Sequence, residues 1–382
     1  MDNDFIAKVL AAGQENCGNA PRGVKHLVSW MIEKLPLKNP HSKYGVVLQN
    51  HLTNFKNHLQ ELDAESTSYL FPSNSKDYYL NLINKYCSSI EEVIQLNSKG
   101  QIYLACTKFR ELMTMNNTIG GMAGVLRRKT DSGTQRLFRI RKIVPSSSVS
   151  QAEMFHIPYT SRGKVASQRY SSPGYPCLYL GYSINACWEE LERPALNSFM
   201  VVGVHQQYSI NIIDLSVPND IREFHYISDL WQFIMTYPLT SACMVKVSQS
   251  DNDYKEEYVI PQMLTNYVIE QNLLKRKGNN MSEEITAIKY TSSCYNKQFG
   301  WGREAFANLA VPAVHISSEY KYCPVLSNLF YLSTPTCVEY EQISNNLVEA
   351  PVSTNRTYEN SLFGRLESVF EHREYRPVKY TK

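Results

Sequence analysis

The sequence has no large excess of charge of either sign. Its 382 residues include 39 Lys and Arg against 36 Asp and Glu, so the formal net charge is +3. A protein that coats DNA or RNA needs concentrated positive charge for its contacts with the phosphate backbone. The charge balance therefore gives no support to a nucleic-acid-binding class, and no nucleic acid partner is expected.

Closely spaced cysteines are also missing. The chain has nine cysteines, an odd number, and no two of them form a CxxC pair. A disulfide framework or a structural zinc site typically shows an even count or close spacing. We therefore expect reduced, mostly buried thiols and no metal site.

Long apolar runs are absent as well. No apolar stretch approaches the ~20 residues that a membrane-spanning helix needs. The first residues include Asp2 and Asp4, whereas a secretory leader carries positive charge at that point. We expect a soluble, cytoplasmic protein with no membrane partner, long enough for two domains.

The first third of the chain has the periodicity of α-helices. Between residues 46 and 62, apolar residues recur at steps of four and three, which places them on one helix face. Further helices are predicted over 77–96, after the break at 72–75, and over 101–113, after Gly100. We predict a helical N-terminal domain over residues 1–125. The residues on the predicted face are Leu48, Leu52, Phe55, Leu59 and Leu62.

Beyond the turn-rich stretch at 116–121, short β-like runs alternate with helical segments. Helices are predicted over 183–192 and 256–271. The mixture predicts an α+β protein in which residues 126–382 form a mixed β-sheet catalytic domain with a C-terminal tail. The predicted strands cover 137–140, 177–180, 199–204, 209–215, 286–290 and 308–311.

The segment from 168 to 190 has the most chemical content. A polar turn presents Arg169 and Tyr170, a strand carries Tyr179, and a helix ends in Glu189 and Glu190. An arginine offers a fork of donors for phosphate, a tyrosine offers a ring face, and a carboxylate can stabilise a developing positive charge. Each of these residue types is also common in surface turns and cores, so the composition alone leaves the function open.

Three runs of residues together resemble the RES domain family, which is named for its Arg, Glu and Ser residues. They are the runs 154–158, 168–181 and 187–190, and the resemblance extends over about 136–329. Arg169-Tyr170-Ser171 stands where the family usually has Arg-Trp-Asn. The other matching positions are the early arginine Arg139, the strand tyrosine Tyr179, the helix glutamate Glu190 (with Glu189 as the alternative) and the late serine Ser292 (with Ser293 as the alternative).

The resemblance implies a fold similar to that of ADP-ribosyltransferases and a toxin that consumes NAD+. NAD+ would be the substrate, with no other cofactor, and the bond between nicotinamide and ribose would be cleaved by water or phosphate. A partner protein, the antitoxin, would block the cleft. The helical N-terminal domain looks like the extension on longer RES proteins, and the resemblance leaves open whether the chain forms a homo-oligomer.

The resemblance also implies a role for each matching side chain. Glu190 would hold a ribose hydroxyl and face the developing charge, while Tyr179 and Tyr170 would pack against a ring of the substrate. Arg139 and Arg169 would grip the phosphates, and Ser292 would orient the nicotinamide or its ribose. Arg141 is an alternative to Arg139, because alternation along a strand places both on the same face.

Two other functions stay open at this point. The first is a transferase that places ADP-ribose on a protein or nucleic acid, which the adjacent acids Glu189 and Glu190 would suit. The second is a binding module without catalysis, whose helical first third recruits a partner.

Overall fold

The computed structural model describes residues 17–40, 43–71, 75–115, 121–133, 136–145, 147–249, 251–278, 283–296, 301–314, 319–344 and 357–381. Asp2, Asp4 and most of the predicted breaks at 72–75 and 116–121 lie outside these ranges. The chain divides into two compact units. Their segments are Met1–Arg127 with Val217–Tyr267 in the first, and Arg128–Ser216 with Val268–Lys382 in the second.

The helices and strands of the described residues can be given in chain order. The helices are α1 Arg22–Lys34, α2 Tyr44–Gln60, α3 Ala64–Leu70, α4 Lys76–Ser98, α5 Ile102–Thr114, α6 Gly121–Leu126, α7 Ile184–Glu190, α8 Ile227–Cys243, α9 Val259–Lys277, α10 Pro324–Leu329, α11 Val338–Ser344 and α12 Leu362–Val369. The strands are β1 Arg127–Lys129, β2 Leu137–Lys142, β3 Cys177–Gly181, β4 Phe199–Gln206, β5 Asn211–Leu215, β6 Ile285–Thr291, β7 Ala307–Pro312 and β8 Phe330–Leu332. The predicted order, a helical N-terminal part followed by a mixed sheet, is confirmed.

The first unit is helical and is organised around α2 and α8. The predicted apolar stripe on α2 faces the core, where four of its five members are fully buried. Across from it, the hydroxyl of Tyr237 on α8 donates to the carbonyl oxygen of Met31 at 2.8 Å. Because that proton is committed, Nε2 of His51 on α2 donates to the Tyr237 oxygen at 3.0 Å. Burial lowers the pKa of His51 to about 4, so this histidine is neutral near pH 7.

The contents of the units differ from the predicted domains 1–125 and 126–382 at the boundary, which lies after Arg127, and in one larger segment. Residues Val217–Tyr267 belong to the first unit, although the sequence assigns them to the sheet domain. This segment includes α8, which packs on α4 and α6. Nearly every residue of α8 from Leu230 onward is buried, so its apolar surface needs helices on several sides.

The second unit is built on an eight-stranded mixed sheet of order β1-β5-β6-β7-β3-β2-β4-β8. Strands β5 and β6 are parallel. The pairs β6–β7, β7–β3, β3–β2, β2–β4 and β4–β8 are antiparallel. Strands that are distant in sequence, such as β3 and β7, therefore lie side by side.

Each face of this sheet has its own hydrophobic cluster. Leu178, Leu180 and Leu309 belong to the cluster on the first face. Phe138 and Ile140 belong to the cluster on the second face, together with Ile184 of α7 and Leu366 of α12. Because side chains alternate along a strand, the residues next to Leu178, Leu180 and Leu309 point to the second face. Tyr179 and Asn308 therefore lie on the face that carries α7, and so does Tyr290, which pairs with Asn308.

Strands β2 and β3 meet at a single register pair, Phe138 with Gly181. In contrast, β2 pairs with β4 over six residues, and β3 pairs with β7 over five. The β2–β3 ladder is therefore confined to this pair, and residues 177–180 of β3 have no described strand partner on the β2 side. The guanidinium of Arg139 lies in this gap and is described with the candidate site.

Two further observations concern the predicted environment of the chain. All nine cysteines lie in the described ranges, and none of them forms a disulfide bond. Among the described residues, no helix combines the length and the apolar character that crossing a membrane requires.

Candidate active site

Helix α7 follows β3 directly and lies unusually close to it. Gly181 ends the strand, and Oγ of Ser183 caps the helix by accepting from the backbone N–H of Ala186 at 2.9 Å. A Cβ atom on Gly181 would lie 2.6 Å from Sγ of Cys187 and 2.8 Å from the carbonyl oxygen of Ser183. Only glycine allows the helix to approach this closely, which brings Glu190, its last residue, over the second face of the sheet.

The carboxylate of Glu190 receives two hydrogen bonds on one oxygen. Oγ of Ser292, just after β6, donates to Oε1 at 2.6 Å, and Nδ2 of Asn308 on β7 donates to the same atom at 2.9 Å. Both donors are buried, whereas Glu190 itself is exposed. No described residue donates a hydrogen bond to Oε2. In this exposed position Oε2 can accept a hydrogen bond from another molecule.

The register of the sheet explains why Asn308 meets Glu190. Asn308 pairs with Gly181 on one side and with Tyr290 on the other. It therefore sits directly beside the glycine over which α7 crosses. Ser292 is fixed in turn by its backbone N–H, which donates to the carbonyl oxygen of Phe306 at 2.8 Å, and by its Oγ, which accepts from the N–H of Cys294 at 2.9 Å.

The turn that carries Arg169 is held by its own backbone and by Tyr179. Gln168 and Ser171 exchange hydrogen bonds of 2.9 and 3.1 Å between their backbones. The hydroxyl oxygen of Tyr179 accepts from the N–H of Tyr170 at 3.1 Å, and its proton is donated to Oγ of Ser171 at 3.2 Å. The half-buried Tyr179 thus anchors the turn, with its phenol committed to that contact.

Arg169 reaches the same end of β6 as Glu190. Its Nη2 donates to Oγ of Ser293 at 3.1 Å, next to the serine that binds Glu190. The neighbouring Tyr170 is fully buried, and its ring packs on that of Tyr290 with 4.5 Å between the centroids. The resemblance to RES domains implies that Tyr170 offers its ring to a substrate. The structure gives it a packing contact instead, because Tyr290 and the turn cover it.

The contacts of the side chains distinguish Glu189 from Glu190 and Arg139 from Arg141. Glu189 is buried and accepts from Nε of Arg193 at 2.9 Å, so it is turned away from Ser292. Among the arginines, Nη1 of Arg139 donates to the carbonyl oxygen of Tyr179 at 2.9 Å, in the gap between β2 and β3. Arg141 is exposed, and its guanidinium donates to the carbonyl oxygen of Glu153.

Comparison with known proteins adds a relationship that extends over three quarters of the chain. The scan against protein-family models finds no match. A Bacillus subtilis (strain 168) protein named "Putative toxin YopC" is 31% identical over 310 aligned residues, which cover 75% of this chain and 68% of the relative. The chain belongs to the YopC family.

One solved structure also matches this YopC-family chain in part. It is the crystal structure of the M. tuberculosis MbcT–MbcA toxin–antitoxin complex, with 14% sequence identity and a TM-score of 0.29. The match covers 55% of this chain and 86% of the other. A likeness of that size is too low to assign a fold.

The electrostatics of the site in this YopC-family chain keep a nearby phenol and a nearby thiol neutral. Burial, followed by the nearby charge of Glu190, raises the pKa of Tyr290 well above its usual value. The same two causes raise the pKa of the Cys294 thiol to about 12. A thiol with so high a pKa is not a thiolate nucleophile near pH 7. The chemistry that remains is that of a carboxylate, neutral hydroxyl and amide donors, and arginine cations.

Asn308 is the residue of this site that sequence reasoning missed. The run 308–311 is interpreted from the sequence only as a strand. Its first side chain is polar and buried among apolar neighbours. A buried amide needs a hydrogen-bond partner, so a polar residue in an otherwise apolar strand is the feature that could have indicated it.

Proposed function

We propose that this YopC-family chain is a toxin that cleaves NAD+ at the bond between nicotinamide and ribose, with water or phosphate as the acceptor. The observation that carries the proposal is the arrangement around Glu190. Two buried donors, Ser292 and Asn308, bind Oε1, while Oε2 of the exposed carboxylate receives no hydrogen bond from a described residue. The resemblance to RES domains and the description of the B. subtilis relative as a toxin point the same way.

The chemistry of this bond matches what the site offers. Nicotinamide leaves as a neutral ring, so it needs no proton, and the ribose that remains resembles an oxocarbenium ion. Such a transition state is stabilised by a carboxylate close to the ribose. Oε2 of Glu190 takes that role by accepting from a ribose hydroxyl and by facing the positive charge that develops.

The remaining residues bind and orient the substrate in this proposal. Arg169 supplies a cation for the pyrophosphate and is held beside the site through Ser293. Arg139, the other predicted phosphate ligand, alternates with Phe138 and Ile140 and therefore starts from the opposite face of the sheet, where its guanidinium donates to the carbonyl oxygen of Tyr179. Tyr179 keeps the turn of Arg169 in place through its hydroxyl. Ser292 already donates its proton to Glu190, so its part is to orient the carboxylate and the nicotinamide end of the substrate.

The position of Glu189 argues against the transferase alternative. That alternative draws on an adjacent acidic pair facing one site. Glu189 instead is buried and pairs with Arg193, so only Glu190 of the two faces Ser292. We therefore propose a small acceptor, and a partner protein that blocks the cleft in the producing cell.

Nicotinamide release from NAD+ by the purified chain tests the proposal. We expect release by the wild type, in buffer with or without phosphate, and a loss of about 100-fold in Glu190→Gln, because the amide keeps the shape and loses the charge. Glu189→Gln is the matched control and should stay close to the wild type. Folded wild-type protein that leaves NAD+ intact in both buffers overturns the proposal, and transfer of radiolabel from NAD+ to a macromolecule replaces it with the transferase.

A further inference from the structure

The first turn of α7 is held by side chains from the C-terminal part of the chain. The leading N–H groups of a helix have no partner within the helix and need acceptors. The N–H of Ile184 donates to Oε1 of Glu367 at 2.6 Å, and the N–H of Asn185 donates to the hydroxyl oxygen of Tyr358 at 3.5 Å. The next N–H of this turn, that of Ala186, donates to Oγ of Ser183, the residue that caps the helix.

Glu367 and Tyr358 act as one unit. The hydroxyl of Tyr358 donates to Oε1 of Glu367, the atom that also accepts from Ile184. Glu367 lies on α12 and is buried. The same helix packs against α7 further along, where the rings of Phe363 and Trp188 lie 5.4 Å apart. All three C-terminal residues lie outside the region 136–329 that resembles RES domains.

We infer that Glu367 is a positioning residue for Glu190. Helix α7 has seven residues, so its first turn and Glu190 are about 9 Å apart along the axis and move together. Glu367 fixes the first turn, and the helix transmits that position to the carboxylate beside Ser292 and Asn308. The inference rests on the proposed function of Glu190.

The test measures the helix and the turnover separately in Glu367→Ala, Glu367→Gln and Glu374→Ala. Glutamine keeps an oxygen that can accept from Ile184, and Glu374 is an exposed carboxylate of the same segment that pairs with Arg376. In Glu367→Ala we expect amide hydrogen exchange across 184–190 to be faster by about tenfold. Its kcat should fall by about tenfold while KM stays within about twofold. Glu367→Gln should restore both readouts, and Glu374→Ala should change neither.

The outcomes separate this inference from the proposed function. A wild type that releases no nicotinamide ends the proposed function alone, since hydrogen exchange still tests the helix. Unchanged exchange in Glu367→Ala, or kcat equal to the wild type in an active preparation, overturns the inference. Equal damage in the alanine and glutamine variants also overturns it. If Glu367→Ala fails to fold, Tyr358→Phe removes one hydroxyl only, and the same acceleration of exchange at 184–190 is expected or the inference falls.

Discussion

Oγ of Ser292 lies 2.6 Å from Oε1 of Glu190, although the two residues are 102 positions apart in the sequence. Their meeting depends on the strand order, because β7 lies between β3, which leads into α7, and β6, which leads into Ser292. Asn308 on β7 completes the contact from the middle strand. The candidate site therefore exists only when three strands that are distant in sequence have paired.

Asn308 should matter for turnover because it is one of two donors to Glu190. We expect Asn308→Ala to lower kcat for NAD+ cleavage by about tenfold, since the carboxylate loses a donor and part of its orientation. The lost buried hydrogen bond should also lower the free energy of unfolding by about 1 kcal/mol. Nicotinamide release and urea denaturation measure the two effects. Turnover equal to the wild type would remove Asn308 from the site.

Arg169 should act on substrate binding. Its guanidinium is held by Ser293 close to Glu190. Removing a charge-assisted contact with phosphate should raise KM for NAD+ by about 10- to 100-fold in Arg169→Ala, with a smaller effect on kcat. Arg162→Ala is the control, because Arg162 is an exposed neighbour whose guanidinium lies over the ring of Tyr175. An equal change of KM in both variants would mean that Arg169 has no specific role.

Gly181 should be intolerant of a side chain. In Gly181→Ala the new Cβ meets the Ser183 backbone and the Cys187 thiol at distances below van der Waals contact, so α7 must shift. Overpacking of this kind should lower the free energy of unfolding by about 1–3 kcal/mol and impair turnover. Gly163→Ala is the matched control, since nothing lies within 4 Å of a Cβ there. Chemical denaturation of both variants measures the difference, and equal stabilities would contradict the close approach.

Glu367 should make the free energy of unfolding fall as the pH rises, which is the opposite of the effect of a carboxyl group whose pKa is lowered on folding. Burial raises its pKa from 4.5 to about 7, while hydrogen bonds from Tyr358 and Ile184 and the charge of Arg136 act the other way. A raised pKa means that the folded state binds the proton more tightly than the unfolded state. This contribution to stability is therefore complete below about pH 4.5 and is lost as the pH rises through about 7. The full change corresponds to about 3 kcal/mol.

The difference between the wild type and Glu367→Gln isolates this titration. Two buried histidines, His51 and His156, have pKa values lowered to about 4 and act in the opposite direction, because they cost stability as the pH falls below 6.5. Both variants share them, as they share Glu359, whose charge raises the pKa of Glu367. The wild-type free energy of unfolding should fall relative to that of Glu367→Gln between pH 4.5 and 7. Parallel curves across that range would contradict the prediction.

Periodicity predicts much of the fold because most elements have one buried face. The stripe on α2 and the strands of the sheet are of this kind, and their predicted positions are within a few residues of those observed. Helix α8 shows the limit of the method. Its side chains are apolar on nearly every side, and Pro238 interrupts the run, so the sequence shows neither an amphipathic period nor a continuous helix former.

Sequence reasoning places the candidate residues in one region but cannot choose between neighbours. Arg139 and Arg141 share a strand face, and what separates them is the end of the β2–β3 ladder, which leaves the carbonyl oxygen of Tyr179 for Arg139. Glu189 and Glu190 are separated by the rotation of α7 about its axis, which depends on Gly181 and Glu367. Both choices are made by packing between segments that are far apart in sequence.

The two donors on Oε1 of Glu190 have an entropic consequence. A surface glutamate usually samples many rotamers, and a ligand that binds it must arrest that motion. Here Ser292 and Asn308 arrest it while the protein folds. The carboxylate is preorganised, so in the proposed reaction less of the energy gained from binding is spent on ordering it, and more remains to lower the barrier.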